Sequence, residues 1–384
     1  MKLTLRALAK AAGIGKSTLQ TIIVTDCWPK RHSRDAVQSR LREAVRKAGA
    51  TEEQLAGLFL RSEPIARQFK STVVLKHYIE EEPEVLLPKQ TLRQTARKAF
   101  KLFNNPFDGE VFSEDAMFTS PEIAYVRESC MQAAMGHRFV AIVGESGAGK
   151  TTVLGDLEAR ILRERKPVQF IRPWVLGMED TDAKGKTLKS TDILASIITT
   201  LNPMVTVPQT IQARSTVAKA LLTESSQTGT FNLLVIEEAH CLPDSTMKHL
   251  KRLHEMRLGM RPLLGILLVG QTELAQRLDS RRAALREVTQ RCEMVHLLPL
   301  DGDLHNYLAH RARTVDRPLS DFIDASGIDE IRARLTITRP GTAGKPQKVS
   351  LAYPLAVNNL ITAAMNAAAD IGAPFVTKDL VRAV

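Results

Sequence analysis

Phe139-Val-Ala-Ile-Val-Gly144-Glu-Ser-Gly-Ala-Gly149-Lys150-Thr151-Thr152 decides how this chain is read. The first five residues form a short apolar run that reads as a strand, and a helical pattern follows Lys150. Between them, Gly144 to Thr151 fits G-x-x-x-x-G-K-[ST] in the strand–loop–helix setting that gives this spacing its meaning. Glycines let successive backbone N–H groups converge on phosphate oxygens, and the helix N-terminus adds its partial positive charge. The expected nucleotide contacts are therefore Gly144, Glu145, Ser146, Gly147, Ala148, Gly149, Lys150, Thr151 and Thr152. Lys150 is expected at the β and γ phosphates, the Thr151 hydroxyl on Mg²⁺, and Thr152 beside the α phosphate. ATP and Mg²⁺ are the cofactors this implies. A second GKST lies at residues 13–18, but Lys10 stands where a glycine is required and no strand precedes it.

Working outward, short apolar runs at 139–143, 168–172, 233–236, 265–269 and 294–298 alternate with helical stretches. That alternation is the pattern of a parallel sheet covered on both faces, with right-handed helical crossovers. The fold class expected is α/β, a three-layer parallel sheet over residues 103–300. Residues 301–384 return to helix, with an Ala-rich helix at 353–370 and a loop at 339–346, and are expected to form a helical lid. Residues 1–60 look wholly helical, and 61–102 read as a connector without a strong period.

Two further strand ends carry chemistry. The run Leu233-Leu-Val-Ile-Glu237-Glu238 ends in paired carboxylates, where a P-loop ATPase places one acid near Mg²⁺ and a second on the attacking water. Glu237 takes the metal position and Glu238 the general-base position. Asp is usual at the first, so the longer Glu237 predicts slow turnover. Gly265-Ile-Leu-Leu-Val-Gly-Gln271 ends in an amide placed to sense the γ phosphate or orient water. Arg291, just ahead of the last strand, is placed to reach a neighbouring subunit's nucleotide. Arg281, Arg282 and Arg286 compete with it, and a solvated helix face explains the cluster equally well.

Composition narrows the class. The 384 residues carry 53 Lys+Arg against 42 Asp+Glu, a formal charge of +11, which points to a polyanionic partner. Residues 1–50 concentrate this, with eleven Lys/Arg against Asp26, Asp35 and Glu43. No apolar stretch of about 18 residues occurs, and Arg6 and Lys10 interrupt what a signal core would need, so no membrane and a cytoplasmic location are expected. The 4 cysteines are scattered without a CxxC pair, which disfavours a disulfide framework or a zinc site.

Taken in series, Phe103-Asn-Asn-Pro-Phe107, the phosphate loop, Val235-Ile-Glu-Glu-Ala-His240, Leu268-Val-Gly-Gln-Thr-Glu-Leu274 and the helical end resemble the AAA+ ATPases of the ExeA-like group. That group includes transposition regulators of the phage Mu B and TnsC kind. The resemblance implies ATP-dependent oligomerisation, as a ring or helical filament, with nucleotide between neighbouring subunits. Two positions depart from it. Glu237 replaces Asp, and Tyr353-Pro-Leu-Ala356 stands where many relatives have Gly-x-Pro-Arg, so no lid arginine is identifiable.

The N-terminal stretch, Leu5 to Gly13 followed by Ile14 to Ile23, resembles the helix-turn-helix of repressor-like domains. Leu5, Leu8, Leu19 and Ile22 face inward, and Lys16, Ser17, Thr18, Gln20 and Thr21 face a groove. Arg31, Arg34 and Arg40 are placed to neutralise phosphates. Protein contact alone is the other reading of such a hairpin. Lys184, Lys186 and Lys189 after the second strand, and the basic stretch with Arg332, Arg334, Arg339, Lys345 and Lys348, are further candidates for double-stranded DNA. The expected function is an ATP-dependent DNA-binding regulator that oligomerises on target DNA and stimulates a transposase, hydrolysis driving disassembly. The rival is a sequence-specific, ATP-gated transcriptional regulator. A secretion-associated ATPase would need a membrane span.

Overall fold

The computed structural model describes residues 34–47, 86–109, 111, 113–173, 187–279, 285–340 and 346–384. The chain divides into two compact units, Met1–Glu82 and Pro83–Val384. In the first, the described element is helix α1 (Arg34–Lys47), which buries Val37 and Leu41 one turn apart and leaves Arg40 exposed. The residues expected to face a groove, Lys16, Ser17, Thr18, Gln20, Thr21 and Arg31, lie outside the described residues, as do Lys184, Lys186, Arg281, Arg282 and Lys345.

The second unit runs α2 (Gln94–Ala99), α3 (Pro121–Gly136), β1 (Phe139–Val143), α4 (Lys150–Arg163), β2 (Val168–Ile171), α5 (Ser190–Leu201), α6 (Ile211–Gln227) and β3 (Phe231–Ile236). It continues through α7 (Asp244–His254), the short pair β4 (Arg257–Leu258) and β5 (Arg261–Pro262), β6 (Gly265–Gly270), α8 (Thr272–Arg277), α9 (Arg286–Thr289) and β7 (Cys292–His296). The last elements are α10 (Leu304–Arg313), α11 (Ala325–Arg334), β8 (Thr336–Pro340), β9 (Pro346–Ser350), α12 (Pro354–Ile371) and α13 (Lys378–Ala383).

Five strands form one parallel sheet in the order β2-β3-β6-β1-β7. Both faces are dry, and the period of two along each strand sorts side chains between them. Phe139, Ala141, Val143, Leu234, Ile236, Ile266 and Leu268 face α5, α6 and α7. Val140, Ile142, Leu233, Val235, Leu267 and Val269 face α3 and α4. This explains why the central strands β1 and β6 and residues 233–236 of β3 read as unbroken apolar runs, whereas the partly covered edge strands β2 and β7 carry Gln169, Glu293 and His296.

The lid differs from the sequence-based expectation in two places. Residues 86–107, expected in large part as connector, are packed into it: Leu92, Ala96, Phe100 and Phe107 share a core with Leu304, Leu308, Phe322, Ile331, Leu360 and Ile361. Buried asparagines of α12 hold the extended stretch ahead of α2. Asn359 Oδ1 accepts from Gln90 N at 3.1 Å, Asn366 Oδ1 accepts from Arg93 N at 2.9 Å, and Asn366 Nδ2 donates to Thr91 O at 3.0 Å. The segment 339–346, expected as loop throughout, has paired flanks: β8 and β9 form an antiparallel hairpin with Arg339 opposite Gln347 and Pro340 opposite Pro346. Two basic residues expected for DNA are engaged inside the lid. Arg334 donates to the carbonyls of Val381 and Val384 at 2.6 and 2.7 Å, and Arg332 pairs with Asp329 at 2.9 Å. Lys348 is exposed on β9, and Lys189 is exposed just ahead of α5.

Among the described residues no helix is long and apolar enough to cross a membrane.

Candidate functional site

The site is built where β1, β3 and β6 end side by side. Register pairs Val143 with Gly270 and Ile236 with Leu268, so Gly144, the Glu237-Glu238 pair and Gln271 leave the sheet at one edge. The loop is tied to that edge by Gly144 N, which donates to Gly270 O at 3.2 Å. Gly149 caps α4 with φ +94, and Gly147 has φ +76, both in the region that favours glycine. A Cβ on Gly147 would sit 2.4 Å from the Leu355 Cβ, so glycine is also required by the lid above it.

Lys150 is half-buried and folds back on the loop, its Nζ donating to the carbonyls of Gly144 and Glu145 at 2.8 Å each. Burial lowers its pKa, while the carboxylates of Glu238, Glu145 and Glu273 act in the opposite direction. An ammonium bound only to carbonyls is poised to exchange them for phosphate oxygens, which satisfy the same donors with a charge-assisted bond. Glu145 is in turn held by Thr272, whose hydroxyl donates to Oε1 at 2.8 Å.

Beside the loop lies a cavity of about 270 Å³, lined by Gly147 to Val153 together with Phe118, Ile123, Tyr307, Pro354, Leu355 and Asn358. Its apolar wall comes from the segment ahead of β1 and from lid helices α10 and α12, a shape suited to a planar base beyond a phosphate chain. Tyr307 donates its hydroxyl to Asn358 Oδ1 at 3.0 Å. Arg311, buried beneath, donates to Pro106 O at 2.8 Å and to Asp108 O, fixing the lid to the segment that forms the wall. Leu355 N donates to Gly147 O at 3.3 Å, so the residue after Pro354 rests on the loop through its backbone and an alkyl chain. Tyr353 is pushed up to about 12 by burial, with the carboxylates of Glu145 and Asp301 adding to it.

Glu237 and Glu238 are both exposed at the end of β3, and Glu238 has φ +49, a turn that swings it away from the strand direction. Thr151 is exposed in the first turn of α4. A hydroxyl and a carboxylate are the oxygen donors that suit Mg²⁺, which takes few protein ligands and keeps several waters. The residues present therefore fit that ion. Gln271 is half-buried at the end of β6. Arg291 is not brought to this edge. It precedes β7 at the opposite end of the sheet, bound to Glu255 at 3.0 Å and to Glu287 O at 3.1 Å. Arg286, exposed, opens α9 at the same end.

Sequence reasoning did not single out His240, Arg277 or Leu355. His240 enters the sequence reading only as the end of the Val235–His240 stretch with no role of its own, Arg277 carries no spacing that separates it from surface residues, and Leu355 stands out only as part of the Tyr353–Ala356 departure.

Residues 133–278 match the family model described as "AAA domain". With the five-stranded parallel sheet and the loop at its C-terminal edge, this defines the second unit as a P-loop AAA+ α/β fold. Among curated proteins, the chain is 28% identical over 178 residues to General secretion pathway protein A of Aeromonas hydrophila, a likeness covering 46% of this chain and 30% of that protein. Among solved structures, it is similar to the Aeropyrum pernix ORC2 protein in its ADPNP–ADP complexes (17% identity, TM-score 0.44, 73% of this chain and 70% of that one). It is also similar to Cdc6p from Pyrobaculum aerophilum (13% identity, TM-score 0.43, 71% and 67%).

Proposed function

We propose that the protein is an ATP-hydrolysing regulator of transposition that assembles on double-stranded DNA when ATP is bound, stimulates a transposase, and disassembles on hydrolysis. The observation that carries the ATPase reading is the convergence of the phosphate loop, the Glu237-Glu238 pair and Gln271 at one sheet edge. Backbone N–H groups from Gly144 to Thr152 hold the phosphates, and Lys150 trades its two carbonyls for the β and γ oxygens. Thr151 and Glu237 hold Mg²⁺, which when bound neutralises developing charge on the phosphates. Glu238 takes a proton from water aligned for attack on the γ phosphate, and Gln271 orients that water. Arg291 serves a neighbouring copy's nucleotide, for which it must release Glu255.

The DNA reading is supported by the net charge of +11 and its concentration in the first 50 residues, with Lys16, Ser17, Thr18, Gln20, Thr21 and Arg31 as groove contacts and Lys184, Lys186 and Lys189 as phosphate contacts. The transposase rests on the resemblance to the Mu B and TnsC group.

The test is electron microscopy and footprinting of the protein on plasmid DNA with ATP. Long protected tracts with ordered assemblies, retained by Glu238→Gln and lost in Lys150→Ala, are expected. One short protected site, unchanged by nucleotide, would point instead to an operator-reading regulator.

A further inference from the structure

We infer that His240 is a positioning residue that couples the general base to the strand end carrying Gln271. The inference rests on the ATPase reading above and deepens it. His240 sits in the short turn Ala239–Cys241 directly after the two glutamates, its side chain 14% exposed where that of Glu238 is 54%. Its Nδ1 accepts from the backbone N–H of Gln271 at 3.4 Å and lies 3.6 Å from Glu238 Oε2. One ring nitrogen thus faces the Glu238 carboxylate and the backbone of Gln271, the two residues assigned to the attacking water.

Those two partners make opposite demands. Holding the Gln271 N–H requires an Nδ1 lone pair, which puts the ring proton on Nε2 and offers Glu238 no hydrogen bond. Holding the carboxylate requires Nδ1–H, which releases the Gln271 amide. The ring serves one partner at a time. In the arrangement seen it anchors Gln271 and leaves Glu238, on a φ +49 backbone, free to turn toward the loop.

The turn itself is fixed from behind. Arg277 of α8 donates to the carbonyls of His240 and Leu242 and pairs with Asp244 at 2.7 Å. A Cβ on Gly270 would lie 3.3 Å from His240 N, so the turn packs closely on the end of β6. Imidazole position is therefore set by the fold, and the strand end carrying Gln271 is set against it, with Glu238 left to turn.

The experiment uses the full chain, measuring nucleotide binding with a fluorescent ATP analogue and single-turnover phosphate release. His240→Ala should lower the rate by about tenfold or more with KM and analogue affinity within about twofold of wild type. His240→Asn, whose side-chain oxygen can occupy the Nδ1 position as an acceptor, should recover most of that rate. In a Gln271→Ala background, His240→Ala should change the residual rate by less than about twofold, because its route to the chemistry runs through the placement of Gln271. Wild-type turnover in His240→Ala, a loss that Asn does not rescue in a protein with normal thermal melting, or a full additive loss on Gln271→Ala would each overturn the inference while leaving the ATPase reading intact. Absence of turnover in the wild type, with Lys150→Ala indistinguishable from it, would remove the ATPase reading and this inference with it.

Discussion

The two ends of the parallel sheet treat their polar groups in opposite ways. At the C-terminal edge, Glu237, Glu238 and Thr151 are exposed, and Lys150 is held by carbonyls of its own loop. At the N-terminal edge, two histidines and an arginine near the strand starts are folded into aromatic stacks, with Arg286 and Arg291 exposed beyond them. His137 is buried with its ring 5.3 Å from Phe231, and Arg261 lies over the other ring partner at 5.2 Å from the Phe231 centroid. His254 Nε2 donates to His137 O at 2.9 Å, and its ring lies 5.5 Å from Phe139. Burial of polar groups at one edge makes structure, and their exposure beside a cavity at the other makes a site.

The comparison can be broken most sharply with Gly265, where β6 begins. A Cβ there would sit 2.0 Å from Ala133 O, a backbone atom that cannot move without α3. Gly265→Ala should cost about 3 kcal/mol of unfolding free energy in denaturant titration. A loss below 1 kcal/mol would show that this edge is not tightly packed. Next in size, Lys150→Ala should weaken ATP binding at least 100-fold by calorimetry while moving the thermal midpoint little, since the side chain is half-buried and bonds only carbonyls of its own loop, which water can reach. A large drop in midpoint would make Lys150 a structural residue.

Acid should weaken the N-terminal edge. Burial, then the nearby charges of Arg261 and His254, lower the His137 pKa to about 4, and burial lowers that of His254 as well. The unfolded chain takes up protons as pH falls below about 6.5, whereas folded His137 does not until about 4. Stability is therefore full above pH 6.5 and is lost on descending toward 4, on the order of 1–2 kcal/mol by pH 5. His137→Asn, which tolerates the φ of +51 at this position, should flatten that dependence in urea titrations at pH 7 and 5. An unchanged slope would assign the acid sensitivity elsewhere. Smallest of all, Leu355→Ala should alter nucleotide affinity by about threefold or less, because the side chain is 40% exposed and touches the loop through carbon alone. A loss of tenfold or more would mean that lid contact governs binding.

Much of this was legible in the sequence because the sheet is covered on both faces. Runs such as Leu233–Ile236 have no polar member, and Gly, Glu and Gln at their ends mark where each leaves the sheet. The lid was less legible. Asn359 and Asn366 interrupt an Ala-rich helix and read as surface residues, yet they are buried and bond the backbone of residues 87–93. Their partners lie about 270 positions away, beyond any local pattern. The hairpin at 336–350 was hidden by Pro340 and Pro346, which usually mark loops, although both sit at the outer end of the pairing where a missing N–H costs little. His240 stands in the sequence only as the end of the Val235–His240 stretch, and its role was not legible because it comes from the neighbouring strand rather than from its own segment.

Leu355 gives the seam between lid and loop a particular mechanical character. Where Gly147 and Leu355 meet there is no side-chain charge, only an amide, a carbonyl and methyl groups. That seam offers no charge for a phosphate to attract or repel, so it distinguishes bound molecules by their shape and not by their charge.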